Sequence, residues 1–337
     1  MKSRTVLVGV SCLVGAALVL AQAQAQEVRP GEREWLVRAI AGVVASGAEW
    51  TLAWDGYDNA DGIVGAPDGS LLFAQEQPSR VRRLAPDDST SVYMEGTGHA
   101  GSIAIDSEGR LLAVQRGCTD PGRPAEIECS VAPKLSVLAP DYEVRVDRFS
   151  NGEAFGRLND LVVDRRGGAY FTVGGAYYAS PDGEVITVAA AGDIRSNGIT
   201  LSRDERTLYV TNREVVVAFD VQPDGSVRNR RDFGTLDGDG GGDGMTIDAE
   251  GRVYVTGNLG VHVLSPEGEH LGMIPTPRRP ITVAFAGPEK KTLYIVGSGA
   301  VDVFRERNFE TPEGVRNNSK TIYKISMLAE GFQGRAK

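Results

Sequence analysis

Six short stretches of this chain share one shape, a polar turn followed by an apolar strand: PDGSLLFAQ, SEGRLLAVQ, RRGGAYFTV, DERTLYVTN, AEGRVYVTG and EKKTLYIVG. Anchored on the turn residue before each strand, they fall at Gly69, Gly109, Gly167, Arg206, Gly251 and Lys291, at intervals of 40, 58, 39, 45 and 40. A strand-rich unit recurring at about 40 residues, with almost no helical periodicity, predicts a propeller, because each unit has room for one four-stranded blade. A blade cannot bury both faces alone, so the units must stack around an axis. Six units predict an all-β, six-bladed β-propeller over residues 49–337 as a single domain. Which terminal strand closes the ring is left open by the repeats.

Two segments precede it. Lys2 and Arg4, the apolar run Val6–Leu20 and the AQAQAQ that follows read as a cleaved signal peptide over residues 1–25, with cleavage after Ala23 or Ala25. The run is short for a permanent membrane span. Residues 26–48 form an arm, and the apolar spacing in 32–46 predicts a short helix on the propeller. The expected location is periplasmic or secreted, with no membrane anchor after cleavage. Loss of Lys2 and Arg4 takes the net charge from −9 to −11, and an acidic chain without basic runs argues against nucleic acid as partner. Cys118 and Cys129 bracket the long interval, and export predicts a disulfide between them.

In a propeller, equivalent positions of different blades meet near the axis. Eight residues before the anchors stand Asp61, Gly101, Asn159, Gly198, Asp243 and Val283, and in the fourth repeat Asn197 lies one residue earlier. Four of six blades thus place Asp or Asn just before the repeat unit. Asp and Asn favour turns before strands, but four at matching offsets point to converging hard oxygen ligands, which suit Ca²⁺. The loop DGDGGGDGM (237–245) fails the EF-hand and nonapeptide calcium patterns. Asp237 and Asp239 therefore read as solvated loop residues, and Asp243 draws its importance from its place in blade five.

The pieces GRLNDLVVDRRGGAYFTVGG (156–175), SNGITLSRDERTLYVTN (196–212), GGDGMTIDAEGRVYVTG (241–257) and RPITVAFAGPEKKTLYIVG (279–297) resemble the six-bladed propellers of the senescence marker protein (regucalcin), gluconolactonase and luciferin-regenerating enzyme group. The resemblance runs from about Asp55 to Lys337. It implies one divalent cation at the top of the tunnel, commonly Ca²⁺, with Zn²⁺ or Mn²⁺ also supporting activity. The implied ligands are Asp61, Asn159, Asn197 and Asp243, the four that the offsets select. It also implies that Arg157 binds substrate oxygens and that Asp160 lines or braces the site. This sequence departs from the family in three places. Asp61-Gly62-Ile63 stands for Glu-Gly-Pro, Ala100-Gly101 for Asn-Gly with His99 beside it as a substitute polar group, and Val173 for an acid in FTVG.

The chemistry expected is metal-assisted lactone hydrolysis of a small-molecule sugar lactone, with Asp243 or Asp160 as general base, and Arg157, Asn159 and His99 facing substrate. Two other classes stand beside it. One is a non-catalytic, calcium-plugged binding propeller. The other is a paraoxonase-like or strictosidine-synthase-like enzyme using His99 as base. His262 and His270 read as packed or surface residues. No GxSxG elbow and no dinucleotide or P-loop motif occurs.

Overall fold

The computed structural model describes residues 28–29, 31–56, 59–117, 131–298, 308–311, 314–317 and 320–335. Residues 1–25, expected to be a signal peptide, and the pair Cys118 and Cys129, expected to form a disulfide, lie outside the described residues. The rest folds as six four-stranded antiparallel blades. Their innermost strands are Ile63–Gly65, Ala100–Ile105, Leu161–Val163, Ser196–Leu201, Met245–Ile247 and Pro280–Ala286. These strands contact one another around the whole ring, blade six against blade one. A separate hairpin, Asn308–Thr311 with Gly314–Asn317, is inserted in blade six.

The ring closes with a strand from the N-terminal side. Thr51–Asp55 pairs antiparallel with Lys320–Ser326 and forms the outer edge of blade six. First and last parts of the chain thereby share one sheet, which removes the open seam that a linear stack of blades would leave.

Six apolar clusters hold the blades together, one at each blade-to-blade interface. Their members alternate along the strands, as expected where both faces of every sheet are covered. The largest interface, between blades five and six, also takes Val37, Ile40, Val43, Val44 and Trp50 from the arm.

The arm itself corrects the sequence expectation. No helix forms over residues 31–48. Ile40 pairs back on Val44 through two 3.1 Å hydrogen bonds, around a turn in which Gly42 has φ +68°. Gly47 follows at +72°. Left-handed glycines at these points stop helical propagation. The apolar spacing that imitates a helix is delivered by extended chain and a turn. Among the described residues, no helix is long and apolar enough to cross a membrane.

Candidate functional site

The repeat turns fix where the site residues stand. Gly69, Gly109, Gly167 and Gly251 sit at φ +83°, +80°, +87° and +86°, a left-handed turn position that glycine fills without steric cost. In blades four and six that position belongs to Glu205 (+59°) and Lys290 (+48°), each one residue before the anchor chosen from sequence. All six close the same turn, with the N–H donating to the carbonyl three residues back. Counting eight residues back from these six gives Asp61, Gly101, Asn159, Asn197, Asp243 and Thr282. Asn197 is therefore in register, and the position in blade six is Thr282 rather than Val283.

Asp61, Asn159, Asn197, Asp243 and Thr282 line one small void on the axis, together with Gly62, Ser102, Asp160, Gly244 and Ile281. The backbone holds three of them identically. Asp61, Asn159 and Asp243 each donate N–H to a carbonyl in the next strand of their own blade, Ala74, Thr172 and Thr256, at 3.0, 2.8 and 2.9 Å. The glycine after a ring residue answers to the next blade. A Cβ on Gly62 would lie 2.4 Å from Ser102 Cα, on Gly198 2.1 Å from the Asp243 carbonyl oxygen, and on Gly244 2.8 Å from Thr282 Cα. The Asp-Gly, Asn-Gly and Asp-Gly pairs are therefore places where neighbouring blades approach closely.

Blade three carries Asp160 where blades one, four and five carry glycine. Its Oδ1 accepts from Ser102 Oγ of blade two at 2.6 Å and its Oδ2 from Ile199 N–H of blade four at 3.1 Å. Asn159 Nδ2 donates to Asn197 Oδ1, which ties blades three and four at the void. Asp243 is different. Burial first, and the Asp61 charge second, push its carboxyl up to about 7, against the pull of Arg279 and Arg116.

Two residues not singled out from sequence complete the site. Arg116 is 2% exposed and ion-pairs with both Asp61 and Glu76; Glu76, 0% exposed, is 2.9 Å away. Arg157 stands outside this pair, its side chain 39% exposed, and reaches the same Glu76 at 2.9 Å. Burial raises the Glu76 carboxyl, and the two arginines oppose that rise. A signal for both was present: Glu76 and Arg116 each stand seven residues after the left-handed turn residue of their blade. His99 does not line the void. Its Nδ1 is 2.8 Å from the Glu76 carbonyl oxygen, and its backbone N–H donates to Ser79 Oγ at 3.1 Å.

The chemistry of the donor set fits a divalent cation. Asp61, Asp243, Asp160 and Glu76 supply four carboxylates against the guanidiniums of Arg116, Arg157 and, acting on Asp243, Arg279. Fully ionised, the cluster carries one surplus negative charge in a partly buried place, where unpaired charge is costly. The described residues hold no group of three or more His, Cys, Asp or Glu gathered for a metal. The ring instead mixes two carboxylates with two amides, which favours oxygen-loving cations over thiolate- or imidazole-loving ones.

The loop before Asp243 also differs from its sequence reading. Asp239 is not a solvated loop residue: its side chain is 4% exposed and its Oδ2 lies 2.9 Å from His262 Nε2. His262 Nδ1 lies 2.9 Å from His270 Nε2, and His270 Nδ1 lies 2.6 Å from Asp237. His262 thus hydrogen-bonds to both Asp239 and His270, and His270 lies within ion-pair distance of Asp237. Asp239 further accepts the Leu259 N–H at 2.9 Å. The glycine-rich loop is thus pinned to blade five on the way to Asp243.

Residues 59–299 match the family described as SMP-30/Gluconolactonase/LRE-like region. Among curated proteins, the gluconolactonase of Zymomonas mobilis is 27% identical, over 79% of this chain and 81% of its own length. Regucalcin of Xenopus laevis is 26% identical, over 80% of this chain and 90% of its own. Among solved structures, a gluconolactonase from Xanthomonas campestris superposes with a TM-score of 0.67 at 22% identity, covering 90% of this chain and 98% of that one. With a matched region that spans five of the six blades and every residue of the ring, the chain belongs to the SMP-30/gluconolactonase/LRE-like family.

Proposed function

We propose that this protein is a hydrolase of sugar lactones, working at the axial void with one divalent cation held by Asp61, Asn159, Asn197 and Asp243. The observation that carries the reading is the meeting of four hard oxygen donors from four blades at one void, in a chain whose family includes gluconolactonases. A bound cation would supply Lewis acidity toward the lactone carbonyl and lower the pKa of a water beside it.

The protein's own groups divide the remaining work. Without cation the Asp243 carboxyl is held up to about 7 by burial; a bound cation would lower it and leave the carboxylate form that a general base needs. Asp243 takes the proton of the attacking water and returns one to the ring oxygen as the ester C–O bond breaks. Asp160 already accepts a hydrogen bond on each oxygen, so it braces blades two, three and four rather than acting as base. Arg157, at the rim and steered by Glu76, orients the substrate's oxygens. The leading basic and apolar residues support export to the periplasm or medium.

The test is hydrolysis of a panel of five- and six-membered sugar lactones by purified protein. Asp243→Asn is expected to lower kcat by about 10²-fold or more, the usual range for a lost general base. If cation binds and raises the melting temperature but no lactone turns over, the binding-propeller reading replaces this one.

A further inference from the structure

Blade two breaks the ring of oxygens. Its position is Gly101, where a Cβ would lie 2.0 Å from Arg116 Nε and 2.1 Å from Arg116 Cζ. Gly101 is not in the left-handed region, unlike the turn glycines. Space, not backbone conformation, requires glycine there. The Arg116 guanidinium takes the place that five other blades give to an oxygen.

All five N–H groups of that guanidinium are committed. Nε donates to the Leu158 carbonyl at 2.9 Å, one terminal nitrogen to Asp61 and Glu76, and the other to the Asn159 carbonyl at 3.1 Å and Asn159 Oδ1 at 3.0 Å. Nothing remains with which to hold a substrate. The charge is spent inside the ring, on two of the four cation donors.

The consequence is for coordination number. Asp61 gives its Oδ2 to Arg116, so two-oxygen chelation of a cation by that carboxylate has to compete with the guanidinium for Oδ2, while Oδ1 faces no such competition from Arg116. Asn159 Oδ1 is already shared. Ca²⁺ takes six to eight oxygens and commonly uses bidentate carboxylates, whereas smaller divalent ions need fewer or keep more water. We propose that Arg116 sets the cation preference of this protein, competing with the cation for one Asp61 oxygen and turning the site from calcium toward a smaller ion such as Mn²⁺. The inference rests on the cation site proposed above, but concerns which ion it takes, not what it hydrolyses.

The test is calorimetric titration of Ca²⁺ and of Mn²⁺ into chelator-stripped protein, so the readout does not depend on turnover. Wild type should bind Mn²⁺ at least tenfold more tightly than Ca²⁺. Removing Arg116 alone would leave the buried Glu76 charge with only the half-exposed Arg157 as ion-pair partner, so the variant is Arg116→Met with Glu76→Gln. There the Mn²⁺-to-Ca²⁺ preference should fall at least tenfold, with calcium gaining most. Should that variant fail to fold, Arg116→Lys keeps the charge but loses the two-pronged geometry, and the preference should fall in the same direction. A wild type that prefers calcium, or a folded variant whose preference is unchanged, overturns the proposal. Binding of neither ion overturns it too, and lactone turnover in those same samples would then show that hydrolysis stands without this cation site.

Discussion

Asp243 is the residue on which most depends. Its carboxyl is raised from an ordinary 3.8 to about 7, chiefly by burial and then by Asp61. Without cation, the folded state keeps a proton that the unfolded chain gives up between those values. Stability of chelator-stripped protein is therefore highest at the acid end of that window and falls as pH rises through it. Asp243→Asn should flatten this fall, which melting curves of both proteins from pH 5 to 8 would show; parallel curves would contradict the assignment. Cation competes with that proton, so its affinity should climb over the same range. Asp239 gives a second residue-scale prediction. Asp239→Asn leaves His262 Nε2 and the Leu259 N–H with a weaker partner, and should cost about 1–3 kcal/mol in denaturant unfolding. A null result there would mean that the glycine loop is held by its backbone alone. The ring residues were legible because a repeat exposes equivalent positions: Asp61, Asn159, Asn197 and Asp243 could be found by offset. Arg116 and Glu76 stand at a shared offset as well, yet their meaning is a contact between blades one and two, which one-dimensional periodicity does not contain. The Asp239–His262–His270–Asp237 line joins residues of a loop and two strands and left no periodic trace.

At the scale of elements, strands and turns followed from local chemistry. The turn glycines need a left-handed conformation, and the alternation after them needs a sheet covered on both faces. The arm did not follow, because apolar residues at 37, 40, 43 and 44 fit a helix and also an extended chain folded at Gly42. Tertiary packing decided between them. Nor could the repeats identify Thr51–Asp55 as the closing strand, since its partner lies at the other end of the chain. Trp50 locks this junction: it is buried, and its indole N–H donates to the Pro275 carbonyl at 2.7 Å. Trp50→Ala should cost about 3–5 kcal/mol, the range for truncating a buried aromatic, read as a lower denaturant midpoint. A loss under about 1 kcal/mol, as for a surface change, would mean that the arm only rests on blades five and six.

The whole molecule behaves as a ring of similar blades in which chemistry collects on the axis. Each blade brings one residue to the same height, so oxygen donors far apart in sequence become neighbours. Blade two brings a fixed cation instead. The strands around them are apolar and interlocked, which holds the donors in place before any ligand arrives and lowers the ordering cost of binding. The same fold hosts unrelated chemistries, so the ring residues, not the blades, carry the functional claim. That claim is tested most directly by titrating Mn²⁺ and Ca²⁺ into chelator-stripped wild type and Asp243→Asn while following lactone hydrolysis. The account predicts that turnover in wild type rises with cation and saturates at one ion per chain, and that Asp243→Asn stays inactive at every concentration. Full turnover in stripped protein, or an Asp243→Asn variant as active as wild type, would contradict it.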